Sequence, residues 1–508
     1  MGKISNKEWR KNLAKREFSF FGNASILASG SAIASLISLA AEPIASRLFP
    51  PEVFGIVYAY ISLLVIVGLI MCFRYEQAIV LPDNHSDAAG LLKLSLLLML
   101  GWILVFYIFI WSTPMVDWLG WESIRPMVWI APILAGLLGF WYIFTAWFTR
   151  KKKFIHISVS SILVQVPQVF FIIIGGYLGF NAAIHLIGYR VVGILLPPLF
   201  LIVFFFINDA WIFKIRHRVK DLIDLAIRFK KFPLYEFWSI LMSVVAFNAP
   251  VLLFPVLFDA GSAGHFSKSV YVLNVIPVMI GTSFSQVLFQ QMAELRNKGQ
   301  SSESIIRMTL KGGILIGAIP FVLVGNAGPE IFSVLLGARW EVAGQYSQFL
   351  SIWLFFLLLG NSLQSAYLVF EKQEIALFLN ILAVVFRLGI LIICARLVKQ
   401  GSFTIISTVV IFSIASGVIN LLKVMYIGHL IKLQLLSLFR GIRLYLLFML
   451  IVAGSYVLIK QIFNLSDLLI FFSGALLGGV YYAVLLFTQP TLKKLILSFI
   501  SKRKNKHE

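Results

Sequence analysis

The stretch Leu91–Ser112, LLKLSLLLMLGWILVFYIFIWS, holds a single charge, Lys93. A helix needs about 20 mainly apolar residues to cross the hydrocarbon core of a bilayer, so this stretch reads as one complete span. Working outward, the rest of the chain repeats the pattern. Its 508 residues are 60% apolar and only 13% charged, whereas a soluble domain carries about 45–50% apolar and about 25% charged residues. Cut at charge clusters, Pro/Gly turns and polar loops, the apolar runs form fourteen segments: 21–41, 55–73, 91–112, 127–148, 157–179, 184–207, 236–258, 268–292, 310–327, 346–368, 375–395, 403–425, 442–462 and 467–488. The expected fold class is an all-α polytopic membrane protein of about 14 transmembrane helices. Both cysteines, Cys72 and Cys394, fall inside apolar runs, which excludes a disulfide scaffold and disfavours a Cys/His metal site.

A net charge of +21 could indicate nucleic acid, but in so apolar a chain Lys and Arg are first topogenic. If the N-terminus lies inside, 34 Lys and Arg fall in inner segments and 7 in outer ones, with Arg190 and Arg387 left within spans. That bias places both termini in the cytoplasm and accounts for the charge with no nucleic acid as partner. The basic start Met1 to Glu17, followed by an apolar run too long for a signal peptide core, reads as an interfacial helix and an uncleaved anchor.

The longest polar interruption, Asn208 to Glu236, contains IFKIRHRVKDLIDLAIRFKKF. On a helix it sets Ile215, Leu222, Ile223, Ala226 and Phe229 on one face, as a linker lying on the inner leaflet would. The halves on either side echo each other. RLFPPEVFG at 47–55 and VLFDAGSAGHF at 256–266 both run from Leu-Phe to a Gly six residues on, and Leu119-Gly120-Trp121 is matched by Leu336-Gly337-Ala338-Arg339-Trp340. The expected organisation is an N-lobe at 1–207, a linker at 208–235, a C-lobe at 236–425, and two further spans with a basic tail at 426–508. Parallel repeats of this kind imply lobes related by an axis along the membrane normal.

Four stretches carry a family resemblance: LAAEPIASRLFPPEVFGIVYAYISLL at 39–64, FRYEQAIVLPDNHSDAAGLL at 73–92, AGHFSKSVYVLNVIPVMIGTSFSQVLFQQMAELRNKG at 263–299, and LLGARWEVAGQYSQFLSIW at 335–353. They resemble the polysaccharide biosynthesis (O-antigen) flippases of the multidrug/oligosaccharidyl-lipid/polysaccharide exporter superfamily. The resemblance implies a two-lobe, MATE-like fold and export of undecaprenyl-diphosphate-linked O-antigen, capsule or exopolysaccharide repeat units across a bacterial inner membrane. It also implies the lipid bilayer, a polysaccharide polymerase and a chain-length regulator as partners. The arginine-rich first span associated with lipid II flippases is missing here, which places that branch second.

An ionisable side chain within a span costs at least about 2.5–3.5 kcal/mol, so each one is a candidate. Arg387 lies deepest, mid-way along its segment, and Arg190 sits six residues into its own; cavity lining and snorkelling are the competing readings. On this division all 22 acidic residues fall in loops or at helix ends, with Glu42, Glu76, Glu236 and Asp259 nearest the hydrocarbon. Arginines without buried acids favour an anionic cargo such as a diphosphate, whose oxygens suit a guanidinium fork. Arg74 and Glu76 read as a local ion pair or as first capture of substrate. Asn23 and Asn248 are candidate cavity residues, Arg47 and Lys268 candidate outer-gate residues, and Glu42 and Glu76 candidate coupling residues. Pro250, Pro255 and Pro277 are candidate hinges. No P-loop and no HExxH occurs, so neither ATP nor a metal cofactor is expected and the reading is of a transporter rather than an enzyme. A cation-coupled multidrug antiporter of the same superfamily is the alternative.

Overall fold

The computed structural model describes residues 30, 33–281, 284, 285, 288, 289, 291, 292, 295, 300–432, 442–463 and 466–488, and every regular element among them is helical. In lipid every backbone polar group must be satisfied within its own segment or by protein, which leaves helices as the solution for such a sequence. Twelve helices among the described residues are long and apolar enough to cross a membrane. They overlap twelve of the fourteen expected segments, and the other two, 21–41 and 268–292, fall partly outside the described residues.

The chain forms two compact units divided between Ala263 and Gly264. In the first, α1 covers 33–48 and is followed by α2 (Pro51–Ile70), the short α3 (Tyr75–Ala78), α4 (His85–Ser112), α5 (Met115–Leu119) and α6 (Arg125–Arg150). Next come α7 (Phe154–Tyr177), α8 (Ala183–Asp209), α9 (Val219–Arg228) and α10 (Phe237–Leu257). Here α2 packs on α6 and α10, α7 pairs with α8, and α9 lies against α4. The helix α11 (Ala260–Ile276) leads into the second unit, which holds α12 (Glu303–Leu336), α13 (Glu341–Ser362), α14 (Gln364–Val369), α15 (Gln373–Lys399), α16 (Ile405–Leu430), α17 (Arg443–Phe463) and α18 (Asp467–Thr488). There α13 is central, packed on α12 and α16, and α18 packs on α12.

The ninth segment departs from expectation. The apolar core 310–327 sits inside a helix that runs from Glu303 to Leu336 and breaks at Ala327, with φ −139° and ψ 39°. The break is therefore here, two residues before Pro329, while Pro250 and Pro255 lie within α10 and Pro277 opens a single π-turn, Pro277–Gly281. Proline lacks an N–H, so the carbonyl four residues earlier loses its helical donor. In α12 both freed carbonyls find side-chain donors. Gln348 Nε2 donates to the Gly325 oxygen freed by Pro329, at 3.3 Å, and Tyr482 OH donates to the Ile316 oxygen freed by Pro320, at 2.7 Å. Lys460 adds a bond to the Asn326 oxygen (3.4 Å) and pairs with Glu330 at 2.5 Å. The terminal pair α17–α18 thus completes the hydrogen bonding of α12. Tyr482→Phe leaves that carbonyl unpaired and is expected to cost about 1–3 kcal/mol, read as a lower unfolding temperature in detergent. An unchanged temperature would refute the account.

The repeated Leu-Gly-Trp signal has the same local shape in both units. Gly120 (φ 65°) and Gly337 (φ 105°) each turn the chain out of a helix, and each is followed by a buried tryptophan, Trp121 or Trp340, within or beside a 3₁₀ turn that opens the next span. Positive φ is what glycine supplies at such a stop.

The linker helix is corrected in its details. The expected apolar face divides: Leu222, Ala226 and Phe229 are half-buried beside Leu225, which is buried against Gly90 of α4, whereas Ile223 is exposed. Lys93 Nζ donates to the Ile215 oxygen, Tyr75 OH to the Ala226 oxygen at 3.0 Å, and Arg228 pairs with Asp87 at 2.8 Å. The segment is docked on α3 and α4 as well as amphipathic.

Candidate functional site

The deepest cluster of ionisable groups lies in the second unit, along the seam between α15 and α16. Four polar residues of α16, Ser413, Ser416, Asn420 and Lys423, follow one another at intervals of three and four residues and so share one helix face. On α15, Asn380 and Arg387 stand seven residues, two turns, apart. The two stripes meet. Arg387 Nε donates to Ser416 Oγ at 3.1 Å, and Lys423 Nζ donates to Asn380 Oδ1 at 2.7 Å. The guanidinium carbon of Arg387 stands 4.7 Å from the ring centre of Trp353 on α13, a cation–π arrangement that offsets part of its desolvation. Only 4% of Arg387 is exposed. Asn420 Nδ2 donates to its own helix at the Ser416 oxygen, and Ser413 Oγ to the Phe349 oxygen of α13. The seam therefore concentrates two positive charges among hydroxyls, amides and an indole, chemistry that fits an anion with several oxygens.

A second cluster lies at the end of the first unit where α2 turns toward α4. Phe73 and Arg74 both have positive φ, 47° and 66°, a conformation that costs energy for residues with side chains. Arg74 bonds two carboxylates, Glu76 and Glu236, each at 3.2 Å. Burial raises the Glu76 carboxyl from 4.5 to about 6, with Arg74 opposing the rise and Glu236 adding to it. The folded protein therefore holds this proton more tightly than the unfolded chain. Its contribution favours the fold at low pH and is lost as pH rises through about 6. The groups facing it are Arg74, Glu236, Cys72 and Tyr142. Glu76→Gln is expected to flatten the unfolding temperature against pH between 4.5 and about 7 relative to the unaltered protein; parallel profiles would assign the slope to other groups.

The remaining candidates are dispersed. Arg190 on α8 is half-buried, its guanidinium carbon 5.1 Å from the Tyr58 ring centre. Asn248 Nδ2 donates to the Val244 oxygen of its own helix at 3.0 Å. Arg47 is exposed at the end of α1 and donates to the Pro43 oxygen at 2.9 Å. Lys268 does not share that setting: it is fully buried in the second unit, 4.9 Å from the Trp340 ring centre. Asn23 lies outside the described residues.

The acidic residues are also corrected. Glu42 belongs to α1, which continues to residue 48, and is 5% exposed; Glu76 is 2% and Asp209 4% exposed. Buried carboxylates thus exist in the first unit. Asp209 is explained locally, since it pairs with Lys151 at 3.1 Å and accepts from Trp147 Nε1 at 3.0 Å. Glu42 continues a polar face, Ser35, Ser38, Glu42 and Ser46, at three- and four-residue intervals.

Lys423 is missing from the expected site residues because it counts among the inner topogenic charges, although it lies two residues before the end of the expected segment 403–425; in the structure it is half-buried within α16, which runs on to Leu430. The signal was present in the spacing of Ser413, Ser416, Asn420 and Lys423.

Solved structures of similar fold include a flippase and two transporters. The lipid II flippase MurJ in an inward closed conformation superposes with a TM-score of 0.64 at 12% identity, covering 91% of this chain and 98% of that one. An inward-facing multidrug resistance MATE family transporter gives 0.53 at 13% identity over 80% and 94%. A multidrug/oligosaccharidyl-lipid/polysaccharide superfamily transporter from Pyrococcus furiosus, whose binding pocket has reversed polarity, gives 0.52 at 13% identity over 81% and 95%. At these identities the likeness establishes the fold alone, that of a multi-pass helical membrane protein. No curated protein matches the chain. The family model for "Polysaccharide biosynthesis protein" matches residues 44–345, more than half of the sequence, and the chain therefore belongs to that family.

Proposed function

We propose that the protein is a flippase of the bacterial inner membrane that carries polyprenyl-diphosphate-linked oligosaccharide repeat units from the cytoplasmic to the periplasmic leaflet. The observation that carries this reading is the cationic seam of the buried Arg387 and the half-buried Lys423 in a chain of the polysaccharide biosynthesis family. Guanidinium and ammonium groups supply donors and charge to diphosphate oxygens, hydroxyls and amides supply bonds to sugar, and the polyprenyl tail stays in lipid. Alternating access between lobes 1–207 and 236–425, with both termini cytoplasmic, exposes the seam to each side in turn. An inside-negative potential assists outward movement of anionic charge by about 2.3 kcal/mol per charge per 100 mV across the full field. A polysaccharide polymerase and chain-length regulator would receive the unit.

The Arg74–Glu236 pair, 3.2 Å apart, ties the loop after the second span to the start of the seventh and acts in this reading as the cytoplasmic latch. A hydrogen bond between charged groups contributes about 1.5–3 kcal/mol, enough to shift a two-state population about tenfold or more. Cys72, 2% exposed, reports the change. Glu236→Gln is expected to speed its labelling by a membrane-impermeant maleimide about tenfold, and an unchanged rate would remove the latch.

The test of function is mass spectrometry of polyprenyl-diphosphate lipids in the native host with and without the protein. Accumulation of one complete repeat unit on its carrier, with loss of surface polymer, supports the flippase. An unchanged lipid pool with intact polymer overturns it. A cation-coupled multidrug antiporter is the second reading, favoured by one observation, the buried carboxylate of Glu42 in α1; drug resistance lost with Glu42→Gln, alongside that unchanged pool, would select it.

A further inference from the structure

The short segment 215–218 that leads into α9 is fastened to α4 through one imidazole. On α4, Ser86, Gly90 and Lys93 follow one another at intervals of four and three residues and so share one helix face. The half-buried ring of His217 rests on that face. A Cβ at Gly90 would stand 3.3 Å from its Nε2 and 3.4 Å from its Cδ2, so glycine leaves room for the ring. Nε2 lies 3.0 Å from the Ser86 backbone oxygen, with Ser86 Oγ at 3.4 Å, and Nδ1 lies 3.5 Å from Lys93 Nζ. Lys93 Nζ also donates to the Ile215 oxygen.

These partners fix where the ring holds its proton. A carbonyl oxygen only accepts, so Nε2 carries the hydrogen that meets Ser86; an ammonium only donates, so Nδ1 is the bare nitrogen that meets Lys93. The ring therefore fits as the neutral Nε2–H tautomer. A second proton would go to Nδ1, where it would remove the acceptor that Lys93 has on the ring and set two cations against each other. We infer that His217 is a proton switch: neutral, it fastens the segment before α9 to α4, and charged, it releases it. Imidazole is the side chain whose charge changes between about pH 5 and 8. The charged and titratable groups around it are His85, Asp87 and Lys93 on α4, Asp221 and Arg228 on α9, and Arg216 and Arg218 in its own segment. Asp87 pairs with Arg228 at 2.8 Å, Asp221 accepts from the Arg218 N–H at 2.7 Å, and His85 meets the Trp211 ring edge-on at 5.6 Å. Both carboxylates are thus already engaged. Because α9 follows directly, release at His217 loosens the hold of the whole linker on the first unit. The inference does not depend on the cargo.

The test is hydrogen–deuterium exchange of the full-length protein in detergent, read by mass spectrometry at about pH 7.5 and about pH 5.5 and corrected for the pH dependence of exchange itself. One proton changes an equilibrium by at most about tenfold per pH unit, so protection of residues 215–228 is expected to fall about tenfold at the lower pH. Helix α15, in the other unit, is expected to keep its protection. His217→Gln offers an amide N–H and a carbonyl oxygen in place of the two ring nitrogens and does not titrate, so its protection is expected to be the same at both pH values. His217→Arg is charged throughout and is expected to exchange at about pH 7.5 as the unaltered protein does at about pH 5.5. The glutamine variant also separates this switch from Glu76, whose carboxyl is raised by burial to about 6 beside Tyr75, which bonds α9 at the Ala226 oxygen. Constant protection in the unaltered protein would overturn the inference, as would an equal fall in the glutamine variant, full protection of the arginine variant at the higher pH, or an equal loss in α15. Transport is not read in this experiment, so its failure leaves the flippase reading untouched.

Discussion

Arg387→Met is expected to lower export of the lipid-linked unit by about a hundredfold or more while leaving the protein as stable as before, or more so. The guanidinium is buried between Ser416 and Trp353. Hydrogen bonds to charged groups contribute about 1.5–3 kcal/mol each, and a fork makes two of them to a diphosphate. Methionine keeps the length and apolar volume of the stem and removes the charge, an exchange of buried ion for hydrophobe that is often neutral or stabilising. The two readouts therefore move apart. Transport, read as accumulation of carrier-linked repeat units by mass spectrometry, falls; the unfolding temperature does not. A structural arginine would give the opposite result, with export retained by the protein that folds and stability reduced. Lys423→Met is expected to behave in the same way through the Asn380 end of the seam.

The second large effect is on folding. Gly344→Val is expected to destabilise the second unit by about 3 kcal/mol or more, at or beyond the upper end of ordinary overpacking. A Cβ at Gly344 would meet the backbone of α12, with the Pro329 Cα at 2.5 Å and the Gly328 oxygen closer still. Backbone cannot rotate away as a side chain can, so α12 and α13 must separate at the break around Ala327. In membranes close approach of small residues is a main source of helix association. The control is the opposite substitution class: nothing lies within 4 Å of a Cβ at Gly454 or Gly479, and alanine there is expected to stabilise by about 0.5–1 kcal/mol. Recovery of monodisperse protein from detergent distinguishes the three variants. Equal recovery of Gly344→Val would show that the crossing tolerates separation.

What was legible in the sequence follows from the range of the physics involved. Span positions were read closely because insertion in lipid depends on the hydropathy of each segment, a local property. Among the described residues twelve helices lie where apolar runs occur, and the glycine stops at Gly120 and Gly337 are visible as an echo because a positive φ selects glycine locally. Arg387 was identified as the deepest charge for the same reason. Lys423 is passed over because a basic residue near the inner end of a span reads as topogenic, and what it bonds is set by the neighbouring helix. Tyr367 OH donates to the Lys423 oxygen, and Lys423 Nζ donates to Asn380 of α15, partners that hydropathy does not encode. Glu42 was likewise assigned to a helix end because α1 was expected to stop before it, whereas α1 runs on to residue 48.

By itself the sequence determined that this is a multi-spanning helical protein, and roughly where its helices lie. Each of these depends on neighbours within about one or two helical turns. Only the tertiary structure decided which polar groups meet. Arg387 with Ser416, Lys423 with Asn380, Arg74 with Glu236 and Tyr482 with the carbonyl that Pro320 frees are joined across 29, 43, 162 and 166 residues. Partners so distant in the chain are chosen by how helices pack and rotate against one another, and a hydropathy pattern, which repeats in every span, does not encode that choice.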